Sequence, residues 1–252
     1  APLLGALGSH GGWRSLALSA AISVASCLAV VAPWTARNCA TMDGCAFVST
    51  NSGWNLAIGS SPRATGRFEP LRAEDGCRVV TGQVQQDRCW AAQGRAWIAA
   101  DPIRWLRLGQ EKLRQTFDHQ SFAVGYYAQA DPDAWPEERR RAVRGVLGSA
   151  QYLLLLLAAL GAARRPRGRA ADLASASGRA LAVVMFTDGL MREPMRIWPV
   201  AVLIPVLALL PPRPEGDRGV PRFIGLALAT LVAVHFVFFG EDRYQIAMTP
   251  LL

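Results

Sequence analysis

Three long apolar blocks constrain this chain more than anything else in it. Ser15–Trp34 holds no charged residue over twenty positions, Val143–Ala163 holds only Arg144 at its edge, and Arg222–Gly240 is uncharged after its first residue when His235 is neutral. Runs of about 18 or more apolar residues read as membrane spans. A large soluble domain could also be 51% hydrophobic, but it would spread those residues along amphipathic elements. Here charge gathers between the blocks.

A fourth region, residues 180–211, is less regular. Ala180–Phe186 is apolar but short, Thr187-Asp188-Gly189 interrupts it, and Ile197–Leu210 contains Pro199 and Pro205. The expectation is a hairpin of two imperfect spans. That makes five spans and keeps Arg213, Arg218 and Arg222 on the cytoplasmic side, as the positive-inside rule favours. Arg164, Arg165, Arg167, Arg169 and Arg179, opposed only by Asp172, mark the same side. The net charge of +8 therefore reports topology, and nucleic acid is not expected as a partner.

The expected organisation is a leader and first transmembrane helix at 1–34, an extracytoplasmic loop domain at 35–142, and further transmembrane helices with an Arg-rich cytoplasmic loop at 143–252. The loop carries fourteen basic and twelve acidic residues and is long enough to translocate regardless of charge. Its cysteines, Cys39, Cys45, Cys77 and Cys89, permit three pairings. Local closure, Cys39 with Cys45 and Cys77 with Cys89, is expected, and it requires an oxidising compartment. A zinc site has little support, because no C-x-x-C pair occurs and His119 is the loop's one histidine. Localisation in an inner or plasma membrane follows, with the loop periplasmic or extracellular.

Within the loop, Pro33-Trp34 marks the headgroup level at the end of the first helix. The middle, Ala73–Gln93, is polar with short β-like pieces such as Arg78-Val79-Val80-Thr81, so a mixed domain is expected. Asp101-Pro102 is a helix start, with Asp as N-cap and Pro at the first position. Ile103, Leu106, Leu113 and Phe117 then follow at near-helical spacing, either in the headgroup region or on the loop's own core. The chain opens on Ala1 and stops at Leu252 without a recognisable signal peptide, and is read as an excerpt of a longer membrane protein.

Three separated blocks carry a family resemblance. Pro33-Trp34-Thr35-Ala36-Arg37-Asn38 resembles the Pro-Trp-Thr-x-Arg-Asn segment of bacterial family 39 glycosyltransferases, relatives of the protein O-mannosyltransferases and the lipid A aminoarabinose transferase. Ser49-Thr50-Asn51-Ser52-Gly53-Trp54-Asn55-Leu56-Ala57-Ile58-Gly59 resembles their Ser-Thr-Asn-Gly-Gly-x-Asn-Leu-x-x-Gly block, continued by Pro62 and Ala64-Thr65-Gly66. His235-Phe236-Val237-Phe238-Phe239-Gly240-Glu241-Asp242-Arg243-Tyr244 resembles their His-x-x-Phe-Phe-Gly-Glu-x-Arg-Tyr signature. Ala247 departs from the pattern, where the family often has proline.

The resemblance implies a mainly α, polytopic GT-C-like fold that moves a sugar from a polyprenyl-phosphate donor to a glycan, lipid or protein acceptor on the outer face. It also implies that the catalytic carboxylate precedes Ala1, so no catalytic residue is expected here and the excerpt alone should be inactive. A divalent metal is possible, with no ligand set in the chain. The residue chemistry itself points to donor recognition, since arginine offers planar bidentate donors to phosphate oxygens. Arg37 and Arg243, each beside a span end, are the candidates, and their convergence on one phosphate is the expectation. Asn38, Asn51 and Asn55 could bond sugar hydroxyls or cap turns. Glu241 would orient an arginine, Tyr244 would stack on a sugar or anchor at the interface, and His235 is an intramembrane ionisable group. A membrane polysaccharide ligase or polymerase, or a non-catalytic scaffold or transporter, would share the spans and the loop.

Overall fold

The computed structural model describes residues 13–77, 82–164, 168–210 and 219–252. It is mainly helical, with α1 (Trp13–Thr41), α2 (Ser52–Ser60), α3 (Gln83–Ala100), α4 (Pro102–Phe117), α5 (Phe122–Ala130), α6 (Glu137–Ala162), α7 (Arg169–Met191), α8 (Trp198–Leu209) and α9 (Gly219–Val237), plus 3-10 turns. Two compact units form: Ala1–Leu108 with Val237–Phe239, and Gly109–Phe236 with Gly240–Leu252. The boundary falls within α4.

In the first unit, α1 does not stop at Pro33-Trp34 but runs on to Thr41 with Pro33 inside it. Proline removes one hydrogen bond of the ladder, a loss that apolar helices tolerate when nearby groups re-satisfy the carbonyl. Beyond Trp34 the helix acquires a second purpose, because Trp34 Nε1 donates to the Val48 carbonyl at 3.0 Å, and Asn38 Nδ2 donates to those of Ala46 (3.2 Å) and Val48 (3.3 Å). The Cys39–Cys45 disulfide closes the same loop. The helix is thus extended by side chains that clamp the chain's return.

Among the described residues no strand forms, and Arg78–Thr81 lies outside them. Ala73–Asp75 is a single 3-10 turn and Gln83 onward is helix. Polarity concealed α3 because its N-terminal cap comes from elsewhere: Asp43 accepts from Val84 N (3.0 Å) and Gln85 N (2.9 Å). Asp87 on α3 does the same for α2, accepting from Trp54 N at 2.9 Å. The two helices cross so closely that a Cβ at Gly53 would sit 2.0 Å from the Asp87 carbonyl oxygen, hence glycine there. Trp54 meets Trp90 edge-on, and the Cys77–Cys89 disulfide closes a small core with Ala57 and Trp97. Both disulfides join the expected partners.

The second unit is built around α8. Val200, Ala201, Leu203, Ile204, Leu207 and Ala208 are all buried, with α6 and α7 packed against the helix and Leu155, Ala182 and Leu228 completing the core. The outward faces stay apolar, with Val146, Leu153 and Leu157 of α6, Leu181 and Val184 of α7 and Leu226 of α9 exposed. Thr187-Asp188-Gly189 does not interrupt α7, which continues to Met191. Asp188 is held by Arg192 one turn on (2.7 Å) and Thr187 bonds back to the Val183 carbonyl. Polar residues here satisfy one another along the helix instead of ending it.

Two helical stretches are long and apolar enough to cross a membrane, Ala17–Thr41 and Glu137–Ala162. Among the described residues none of the first stretch's apolar window is buried. The expected five is not reached by this measure. Helix α8 has 12 residues, about 18 Å at 1.5 Å per residue, and the apolar part of α9 is Pro221–Val237.

Candidate functional site

The last turn of α9 and the segment after it gather most of the chemistry in the second unit. Gly240 makes this possible: a Cβ there would lie 1.8 Å from the Lys112 carbonyl oxygen of α4. Nearby Lys112, fully buried, donates from Nζ to the Phe236 carbonyl at 3.2 Å. Gly109 similarly leaves room for the Phe236 ring. The close approach to α4 fixes the strand of chain from which Glu241–Tyr244 project.

Asp242 is buried and accepts through Oδ2 from Phe122 N (2.7 Å) and Ser121 N, capping α5 from 120 residues away. A carboxylate is favoured there by the unsatisfied N–H groups and the helix dipole. This cap carries Phe122 to Arg243, whose guanidinium lies 4.8 Å over the Phe122 ring and 5.0 Å over Tyr244. Tyr244 stacks on His235 at 4.6 Å and 19°, and Phe122 meets Tyr126 at 4.6 Å. Tyr126, Phe122, Arg243, Tyr244 and His235 thus form one chain of ring and cation contacts, from an exposed tyrosine to a buried histidine.

Arg243 Nη2 also donates to Tyr244 Oη at 3.1 Å. Its Nε lies 2.8 Å from Glu241 Oε2, an ion pair by distance whose N–H does not align on the oxygen as a hydrogen bond. The Arg243 side chain is 35% exposed, with its guanidinium carbon close to both the Phe122 and the Tyr244 rings. Planar stacking and edge-on bidentate donation are the two properties that separate arginine from lysine.

Behind the stack, Asp118 is buried between elements. Its Oδ1 accepts from Ile197 N (2.8 Å) and Trp198 N (2.6 Å), so it caps α8, and Tyr152 donates to its main-chain carbonyl. Oδ2 has no partner. Burial pushes its pKa from 3.8 up to about 7, against the pull of the Trp198 and Ile197 amides. Gln245 Nε2 reaches the His119 carbonyl (3.3 Å), and His119 Nε2 meets Gln115 Oε1 (2.9 Å). Among the described residues no group of three His, Cys, Asp or Glu could hold a metal ion.

Of the residues expected to bind substrate, His235, Glu241, Arg243 and Tyr244 come together. Arg37 and Asn38 lie in the first unit, on the last turns of α1. Arg37 is exposed, stacks over Trp34 at 4.9 Å and donates to Asn38 Oδ1 at 3.4 Å. Asn38 is fully buried, and its amide hydrogens serve the loop carbonyls. Asn51 occupies the N-cap position of α2 without a side-chain capping bond, and Asn55 is half-buried on that helix. Sequence reasoning missed Phe122, Tyr126, Asp118 and the cap by Asp242. Only the i, i+4 spacing of Phe122 and Tyr126 signals any of them. No protein-family profile, curated protein or solved structure matches the chain.

Proposed function

We propose that this chain is the donor-binding part of a multi-pass membrane glycosyltransferase, one that takes a sugar from a polyprenyl phosphate on the extracytoplasmic side. One observation carries the reading: Arg243, a few residues past the end of apolar helix α9, is partly exposed and lies close to the Phe122 and Tyr244 rings, a position from which it would meet a lipid phosphate. The wholly exposed apolar face of α1 and the two disulfides support the bilayer and the oxidising side. In this reading α1, α6, α7, α8 and α9 are the membrane helices. The short α8 is acceptable because protein, not lipid, surrounds it.

The chemistry asked of Arg243 is specific. As the bond between the sugar and the phosphate breaks, negative charge builds on the departing polyprenyl phosphate. A guanidinium already positioned by neighbouring rings and an ion pair stabilises that charge with little reorganisation. Glu241 holds the side chain's root, and Tyr244 presents a hydroxyl to the same ligand.

The test is transfer from a polyprenyl-phosphate sugar by the full-length protein in proteoliposomes. Arg243→Ala should lower kcat/KM by about a hundredfold or more, the scale of one transition-state donor, with membrane insertion and Tm preserved. Arg243→Lys should recover only part, since an ammonium neither stacks nor forks. Transfer unchanged in Arg243→Ala would refute the role.

A further inference from the structure

The first turns of α6 place arginines on the side of the helix that turns inward. At about 100° per residue, Arg140 and Arg144 fall within an arc of about 80° that also holds Gly148, Gln151 and Leu155. Those three are buried, whereas Val146, Leu153 and Leu157 on the opposite side are exposed. The arginines therefore continue the protein-facing stripe and do not reach for headgroups from the lipid face. Their guanidinium groups also converge. The Glu137 carboxylate lies 3.0 Å from Arg140, 3.9 Å from Arg144 and 4.0 Å from Arg141. It is the one carboxylate that pairs with any of them among the described residues, so three cations share a single anion. Arg139 lies off this stripe and stacks on Trp135 instead, and Asp131 accepts from Ala134 N.

Two of the convergent groups keep an unused donor. Arg140 Nε and Arg144 Nε are shielded from solvent and have no hydrogen-bond acceptor. Deeper on the stripe, Gln151 is 5% exposed and its Nε2 likewise has no acceptor. Buried donors are costly to leave unpaired, so three on one stripe point to a ligand rich in acceptors. Helical side chains lean toward the amino end, which aims Gln151 up the stripe toward the arginines. Between them stands Gly148, where an added Cβ would meet its nearest neighbour, the Tyr152 ring, only at 3.8 Å. A methyl-sized space therefore separates the arginines from the glutamine below.

We infer that this stripe is a phosphate-binding site, with Arg140, Arg141 and Arg144 as its cations and Gln151 as its deepest donor. The charges select the ligand. Three arginines against one glutamate leave two positive charges uncompensated. A phosphate monoester brings about −1.5 to −2, with three strong acceptor oxygens. A carboxylate brings half that charge, and a neutral sugar none. Guanidinium forks match phosphate oxygens bidentately, and the amino end of a 26-residue helix favours an anion. Glu137 is then a placeholder that gathers the arginines until phosphate oxygens replace it. The inference uses none of the residues of the transferase reading and stands apart from it.

The experiment uses full-length protein in phosphatidylcholine nanodiscs at about pH 8, where a phosphate monoester is dianionic. Calorimetry against empty nanodiscs measures binding of inorganic phosphate, of dioctanoyl phosphatidic acid as a lipid-borne monoester, and of acetate as control. One or both phosphates should bind, and acetate should bind about tenfold more weakly or worse. Binding of phosphatidic acid alone identifies a lipid headgroup as the source, and binding of inorganic phosphate identifies the free ion. Arg140→Gln with Arg144→Gln should weaken binding about tenfold or more, and the corresponding lysine pair should recover part of it. Glu137→Gln should instead tighten binding about threefold, because the competing carboxylate is gone. A purely structural ion pair predicts no such gain, so this arm decides the matter even if thermal unfolding shows the glutamine pair to be misfolded. The inference is overturned if neither phosphate binds, if acetate binds as well as phosphate, or if folded arginine variants bind like the parent. Weaker binding by Glu137→Gln overturns it too.

Discussion

Gly240→Ala tests the packing on which the candidate site depends. A methyl at this position would sit 1.8 Å from the Lys112 carbonyl oxygen and 2.7 Å from Thr116 Oγ1. Ordinary contact needs roughly 3.3 Å, so α4 must retreat by about 1.5 Å, and the obstructing atom is backbone that cannot swing aside. Forced overpacking alone costs about 1–3 kcal/mol. Retreat of α4 also stretches the buried Lys112–Phe236 hydrogen bond, and a charged bond of this kind contributes about 1.5–3 kcal/mol. The sum, about 2.5–6 kcal/mol, corresponds to a Tm drop on the order of 10 °C for a chain of this size. The check is thermal unfolding of purified protein in detergent, followed by tryptophan fluorescence. Gly145→Ala is the control, since nothing lies within 4 Å of its Cβ position on α6 and removing a mid-helix glycine should stabilise by about 0.5–1 kcal/mol. If Gly240→Ala melts within about 1 °C of the parent, the close approach is not what holds the segment, and the argument for a fixed Arg243 loses its base.

Asp118 predicts a pH dependence with a definite sign. Its folded pKa is raised from 3.8 to about 7, so the folded state holds the proton more tightly than the unfolded chain. The stability linked to it is therefore full below about pH 4 and lost as pH climbs through 7, by up to about 4 kcal/mol once the buried carboxyl must ionise. Burial drives the effect; Glu111 reinforces it and Arg114 opposes it. Asp118→Asn keeps an acceptor for Ile197 N and Trp198 N but carries no charge, so it should flatten the unfolding profile and exceed the parent's stability at pH 8. Cys77→Ser with Cys89→Ser should lower stability by about 2–4 kcal/mol, read as a fall in Tm that reductant reproduces in the parent. Trp90→Ala, at a position 2% exposed, should cost about 3–5 kcal/mol and loosen α2 against α3, seen as faster amide exchange in both helices.

Local signals were legible and remote ones were not. Asp101 caps α4 as its sequence suggests, with Arg104 N donating to Oδ1 at 2.8 Å, because an N-cap and the turn it serves lie within four residues. The cysteine pairs closed locally for the same reason. The cap of α3 comes from Asp43, that of α5 from Asp242 and that of α8 from Asp118, each tens of residues away or more. No window on the sequence contains both partners. Among the site residues, Glu241, Arg243 and Tyr244 stand side by side in the chain and meet His235 two helical turns back. Phe122 joins them only because Asp242 draws its helix in. Asn38 shows the opposite case: its residue type suggested a ligand or a turn, and folding gave its amide to two loop carbonyls.

The continuation of α1 past Trp34 has a mechanical consequence. Seven further residues, Thr35 to Thr41, make a post about 10 Å tall, tied through Asn38 and the Cys39–Cys45 bridge to the loop that follows it. Pro33 stands at the foot of this post, where the missing N–H leaves the ladder weakest and bending easiest. Any bend there would carry the loop along with the upper part of α1, because Asn38 and the Cys39–Cys45 bridge fasten the two together.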